Sequence, residues 1–295
     1  MIKSTTKSRP VLTRKVKKTA SRCLLTLLAL PAGMLFLAPL LWMLSTSLKD
    51  PRFVFLYPPQ LIPDPVRWDN YYKALTNMPF HLYAWNTIQI TVLCLIGHLL
   101  TASLVAYGFG RLRFPGRDFL FIVLLSTMML PTQVTLIPTF VIFRYLGWVD
   151  TFMPMIVPDW LGGVPFTVFM LRQFITTVPL DLDDAAKIEG CGYFDIYRYI
   201  ILPMIKPALA MVAVFVFFWN WNDFYYPVIY INSREKWTLN LALNFMKRLD
   251  PYGWAFQYVE LIMAASVVVM LPCLLVYFLA QKYFMQGIVF TGVKG

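Results

Sequence analysis

Charge is scarce in this sequence: 14% of its 295 residues are Asp, Glu, Lys or Arg, while 59% are hydrophobic. A water-soluble domain of that length cannot hide so much apolar surface, so a soluble globular fold is excluded. Cysteine is sparse too. Cys23, Cys94, Cys191 and Cys273 never fall in a CxxC spacing, which argues against a disulfide framework and a zinc site; they read as small apolar fillers. Acidic side chains are missing from positions 1–22, where eight Lys or Arg occur. No nucleophile, base and metal-ligand set gathers at one depth, which speaks against a membrane enzyme.

What is plentiful is long apolar sequence. Uncharged or nearly uncharged runs occupy 23–48, 86–110, 119–143, 151–171, 207–231 and 261–280. Each reaches about 20 residues or more, enough for a helix rising about 1.5 Å per residue to cross about 30 Å of hydrocarbon. The expected fold is all-α and integral to the membrane, with six transmembrane helices. The first run is well beyond the roughly 7–15 residues of a signal-peptide core, so it reads as a retained helix. The formal charge of +11 is distributed asymmetrically: with the N-terminus inside, 17 Lys and Arg fall on the cytoplasmic side and 9 outside. The positive-inside rule then puts both termini in the cytoplasm, and the basic balance points to lipid and topology, not to nucleic acid. Residues 1–22 form a basic cytoplasmic tail, disordered or lying on anionic headgroups, ahead of a six-helix domain over 23–295.

Along the chain, the longest external segment, 49–85, carries Pro58, Pro59, Pro63 and Pro65 with Trp68, Tyr71 and Tyr72, a connector with aromatic side chains suited to the interface or a surface that receives a partner. The second run ends in Arg111-Leu112-Arg113-Phe114-Pro115-Gly116-Arg117, a tight basic return to the cytosol. Pro131 and Pro138 in the third run, and Pro154, Pro158, Gly162, Gly163 and Pro165 in the fourth, break the backbone ladder. Such breaks are tolerable only against protein or a water-filled cavity, so these helices face a pathway or neighbouring helices.

Two carboxylates lie well inside the runs, Asp159 and Asp223. Each is a candidate for the pathway, with a helix end near water as the plainer reading of Asp159. His98 has no carboxylate within one helical turn and reads as a packed histidine bonded to a neighbouring helix. Trp219, Asn222, Asp223 and Tyr226 fall at i, i+3, i+4 and i+7, which on one helix would set two aromatic rings beside an amide and a carboxylate. A sugar offers hydroxyls and a C–H face that such a surface suits. An interfacial aromatic girdle is the alternative.

Between the fourth and fifth runs lies a charged island, 177–203. Acids at Asp181, Asp183 and Asp184 suit the start of a helix, and Ala185 and Ala186 leave room for another surface to approach. Gly190 fits the position just past a helix end, where a left-handed backbone is needed. A second short helix follows toward Pro203, giving a compact knob.

This island resembles the Glu-Ala-Ala loop of bacterial ATP-binding-cassette importer permeases: Asp184 stands in the Glu position, Ala185 and Ala186 match, Glu189 takes the acid position, Gly190 matches, and Ile200, Leu202 and Pro203 close the motif. Cys191 departs from the customary Ala. The basic return 111–117, Phe169-Met170-Leu171-Arg172-Gln173-Phe174, Trp221-Asn222-Asp223 and the terminal 281–295 are similar to the maltose-type carbohydrate permeases with six helices. The resemblance implies that the loop is a coupling helix between helices 4 and 5, docking on a cytosolic ATPase dimer through Asp184, Ala185, Ala186, Glu189, Gly190, Tyr193 and Phe194. It also implies a second contact at the C-terminal cytoplasmic tail through Gln286 and Gly287, a second and usually different permease subunit, and an external solute-binding protein. ATP and Mg would sit on the ATPase subunits and no cofactor on this chain. Gly287-Ile288-Val289-Phe290-Thr291-Gly292 superficially looks like a P-loop, but Val293 follows where Lys is needed, so it does not bind nucleotide. The expected role is therefore non-enzymatic: a pore-forming permease subunit of an ATP-driven importer in the bacterial inner membrane, carrying a sugar or oligosaccharide. An ion-coupled secondary transporter is the rival; it calls for charged relays and inverted repeats, and neither is found.

Overall fold

The computed structural model describes the backbone of residues 11–246 and 258–290 and the side chains of 25–246 and 258–281. Helices account for every regular element among the described residues. Their packing divides the chain into two units, Met1–Tyr72 with Phe256–Val267, and Lys73–Ala255 with Val268–Gly295.

In the first unit, helix α1 spans Val11–Ser47. The basic stretch from Val11 onward is thus helical and continuous with the first apolar run; residues 1–10 lie outside the described residues. From Leu25 to Ser45 no residue of this helix is buried within the chain, and burial begins at Thr46 and Ser47, as suits a helix covered by lipid or by another subunit. Past its end, Asp50 collects the backbone N–H of Arg52 at 3.1 Å, its Nε at 2.9 Å and Arg67 Nη2 at 2.9 Å. The Arg52 guanidinium holds this carboxyl well below the usual carboxylate range.

The second unit is built around α2, Phe80–Arg111. Against it pack α5 (Pro165–Thr177), α7 (Lys206–Trp221) and the turns over 153–160. Small side chains allow the approach: Ala102, Ala106 and Ala208 are fully buried with Val168, Leu171, Ile175, Ile201 and Val212. At Gly97 a Cβ would fall 2.3 Å from the Trp160 ring, so only glycine fits.

Among the described residues, four helices are long and apolar enough to cross a membrane: Leu25–Ser47, Phe80–Arg111, Met153–Thr177 and Val259–Gln281. Two bent pairs raise the number to six if each is one span. The third apolar run is not one rod: α3 (Arg117–Ser126) and its following turn meet α4 (Thr132–Tyr145) at 101°, because Leu130 precedes Pro131 and takes an extended backbone. The fourth run is likewise interrupted at Gly162 and Gly163, both with positive φ. The knob helix α6 (Leu180–Ile188) precedes α7, and the fifth run restarts after α7 as α8, Tyr225–Tyr230. Helices α9 (Leu239–Met246) and α10 (Val259–Phe290) complete the order.

Between α4 and the next turn, Asp150 sits at φ 61° and receives the N–H groups of Asn232 at 3.0 Å and Ser233 at 2.9 Å, the Ser233 hydroxyl, and Lys236 Nζ at 3.1 Å. These bonds to Ser233 hold the Asp150 carboxyl well below its ordinary value near 3.9. A folded-state value that low makes the clasp's contribution complete above the ordinary value and lost as pH falls below it. Asp150→Ala should lower stability by about 1–2 kcal/mol, and the wild-type advantage over this variant in thermal melts should shrink as pH falls below 4.

Candidate functional site

The knob is assembled from local rules. Helix α6 opens with Asp181 and Asp183 in its first turn, where they face the positive end of the helix dipole. It closes in a Schellman arrangement: the Gly190 N–H donates to Lys187 O at 3.0 Å and the Cys191 N–H to Ala186 O at 2.9 Å. Gly190 has φ +87° and open space where a Cβ would be, so the residue is required by backbone conformation and not by crowding. Gly192 then starts a new turn whose N–H donates to Asp195 Oδ2 at 3.1 Å. Residues Ile196–Ile201 wind as a π-helix, a widening common at functional positions.

Most of the predicted docking residues lie on the outer face of this knob. Asp184 is exposed and pairs with Lys187 at 3.2 Å; Ala185, Glu189 and Gly190 are exposed; Tyr193 and Phe194 are 64% and 62% exposed. Ala186 is a correction. It is buried in the core cluster, so its small side chain serves the packing of α6 onto its own chain. Gln286 and Gly287 lie within α10, which continues to Phe290, while their side chains and residues 291–295 lie outside the described residues. Sequence reasoning missed Ile188, the most exposed large apolar side chain of the knob at 88%; its position at the end of a short amphipathic helix was the available signal.

Behind the knob, charge is buried. Asp183 and Arg111 are almost fully enclosed and lie 3.5 Å apart, and Arg111 Nη2 donates to Val178 O at 2.6 Å. Arg111 therefore does more than mark topology.

The predicted pathway residues are arranged differently from the sequence expectation. Trp219, Asn222, Asp223 and Tyr226 do not share one helix face, because α7 ends at Trp221. The Asp223 carboxylate accepts the N–H groups of Tyr225 at 2.9 Å and Tyr226 at 3.3 Å, so its side chain replaces the backbone acceptors and starts α8 instead of continuing α7. Asn222 turns its amide back to Phe218 O at 3.0 Å. Trp219 stacks on Phe215 and Tyr226 on Tyr230.

Of these residues, hydrogen bonds join Asp223 to Tyr226 and Asp159 to His98. Asp159 sits in the turn Val157–Trp160 and binds His98 Nδ1 at 2.9 Å, while His98 Nε2 meets the Thr167 hydroxyl at 2.8 Å. His98 is packed against a neighbouring segment as expected, but a carboxylate from 61 positions away supplies the bond. Two cavities, of about 350 Å³ at Arg113–Phe119 and about 310 Å³ beside Tyr83 and Trp237, include none of these pathway residues.

Residues 98–289 match the family model described as binding-protein-dependent transport system inner membrane component. The chain is 31% identical over 278 residues to the arabinooligosaccharides transport system permease protein AraQ of Bacillus subtilis, covering 93% of this chain and 96% of that protein. It is 32% identical to the diacetylchitobiose uptake system permease protein NgcG of Streptomyces coelicolor, covering 85% of this chain and 82% of that one. A solved bacterial ABC transporter involved in the import of the acidic polysaccharide alginate superposes with a TM-score of 0.78 at 22% identity, covering 94% of this chain and 99% of that one.

Proposed function

We infer the function from one premise: the chain belongs to the family of binding-protein-dependent transport system inner membrane components, and it is a non-enzymatic permease subunit of an ATP-driven importer. Six spans with both termini in the cytoplasm fit the 17-to-9 distribution of basic residues, and that orientation turns the knob 184–203 toward the cytosol. The two bent helix pairs would then each count as one broken span.

The observation that carries the docking reading is the knob's outer surface. Ile188, Tyr193 and Phe194 are all more than 60% exposed on a capped projection with buried charge behind it. Large apolar side chains on a structured polar projection mark an interface, and the partner is the ATPase dimer that holds ATP and Mg. Nucleotide-driven closure of that dimer moves the knob, and the bundle rocks between inward-open and outward-open forms. A second permease subunit closes the pathway, for which Asp159, Trp219, Asn222, Asp223 and Tyr226 are the lining candidates, and an external binding protein delivers the solute.

A sugar or oligosaccharide is the solute class, supported by the names of the relatives. The test is Gly190→Asp in the assembled transporter, with uptake of labelled arabino-oligosaccharides and chito-oligosaccharides. A side chain at φ +87° strains the turn, so ATPase co-purification and uptake should both fall at least tenfold. Unchanged values for both would overturn the docking role.

A further inference from the structure

Helix α2 carries a polar stripe at its inner end. Ser103, Tyr107 and Arg111 follow one another at i, i+4 and i+8, which aligns them on one face. Each reaches a different part of the knob. Ser103 Oγ meets the Tyr197 hydroxyl at 2.7 Å in a buried contact, and the Tyr107 hydroxyl donates to Tyr193 O at 2.9 Å. Arg111 binds Val178 O and faces Asp183 across 3.5 Å. Entry, middle and return of the knob are thus tied to a single helix, while its outer face stays free.

The same helix holds a second, largely buried polar corner. Two residues before Ser103, the Thr101 hydroxyl donates to Asp159 O at 3.0 Å, and His98, five residues before it, bridges Asp159 and Thr167. From His98 to Arg111 the helix has no proline and spans about 20 Å at about 1.5 Å per residue. An uninterrupted helix passes displacement along its axis where the bent α3–α4 pair would absorb it.

We propose that α2 is the transmission rod of this permease, and that Ser103, Tyr107 and Arg111 are positioning residues through which movement of the knob reaches the Asp159–His98–Thr167 corner. The proposal rests on the reading of the knob as the ATPase-docking surface. It goes beyond that reading by naming the route inward and by predicting that binding and transmission separate. Variants of the stripe leave the outer face of the knob intact, so the ATPase still binds and hydrolyses ATP, while the pathway no longer follows.

The experiment uses the full transporter with its ATPase and partner permease, and a Tyr225→Cys reporter beside the Asp223 break. Alkylation of the reporter by a membrane-impermeant maleimide is followed at peptide level by mass spectrometry, with and without MgATP and vanadate. In the otherwise unchanged chain, nucleotide should alter the alkylation rate. Arg111→Gln should shrink that nucleotide-dependent change at least fivefold, with ATPase co-purification and hydrolysis retained, and Arg111→Lys should restore part of it. Where Arg111→Gln lowers the amount of protein, Tyr107→Phe removes one hydrogen bond, keeps the ring packing and should give a smaller change of the same kind. A full nucleotide response in both variants, no nucleotide response in the unchanged chain, or a loss confined to lost co-purification would each overturn the proposal. The docking reading fails separately, if Ile188→Asp leaves co-purification unchanged.

Discussion

Replacing His98 with Ala should be among the most damaging single substitutions in this chain. The ring is fully buried and satisfies two partners, Asp159 Oδ1 at 2.9 Å and the Thr167 hydroxyl at 2.8 Å. Removing it strands a mostly enclosed carboxylate where few waters can replace the bond, a change that costs about 3 kcal/mol or more. The loss propagates, because Gly163 packs close to the same ring. In thermal inactivation of the detergent-solubilised transporter, His98→Ala should melt several degrees below wild type, and the double variant His98→Ala with Asp159→Asn should recover part of the loss. His98→Gln, which keeps a donor and an acceptor, should lie between. Equal melting of His98→Ala and wild type would show that the bridge contributes nothing.

Ile188→Asp should act oppositely, sparing the fold and removing the partner. The side chain is 88% exposed and lies at the C-terminal end of α6, so no core contact is lost, although a new acid there meets the unfavourable end of the helix dipole at a cost of a few tenths of a kcal/mol. A central apolar contact in an interface typically carries about 2–4 kcal/mol, roughly 30- to 1,000-fold in affinity, and a charge also has to be desolvated. Titration of purified permease pair with ATPase subunits should show weakening of at least 30-fold with an unchanged melting temperature. Phe194→Ala should weaken binding by a smaller factor.

How legible this was in the sequence depended on the range of the interaction. The Asp184–Gly190 turn was readable because a cap is local chemistry: an acid-rich first turn, small residues and a glycine at the place where a left-handed backbone ends the helix. The broken spans were foreshadowed by Pro131, Gly162, Gly163 and Pro165. The one-face reading of Trp219 to Tyr226 failed through equally local chemistry, since Asp223 caps the following turn and ends the helical period on which the reading depended. Partners 61 to 94 positions apart, such as Asp159 for His98 and Tyr197 for Ser103, leave no periodic trace. Burial of Ala186 and exposure of Ile188 depended on which face of α6 turns inward, and that face packs on Tyr107, Ile175 and Tyr197, which lie outside α6 and leave no mark on its own period.

The central claim is that the outer face of the knob is covered by another protein when the importer is assembled. The chain supplies its own reporter, for Cys191 is an exposed free thiol immediately after Gly190. Maleimide modification of Cys191, followed by mass spectrometry in the isolated permease pair and in the complete transporter, measures coverage directly. Assembly with the ATPase subunits should slow modification at least tenfold, and Ile188→Asp should abolish that protection. Modification of Cys191 at the same rate with and without bound ATPase would contradict the account.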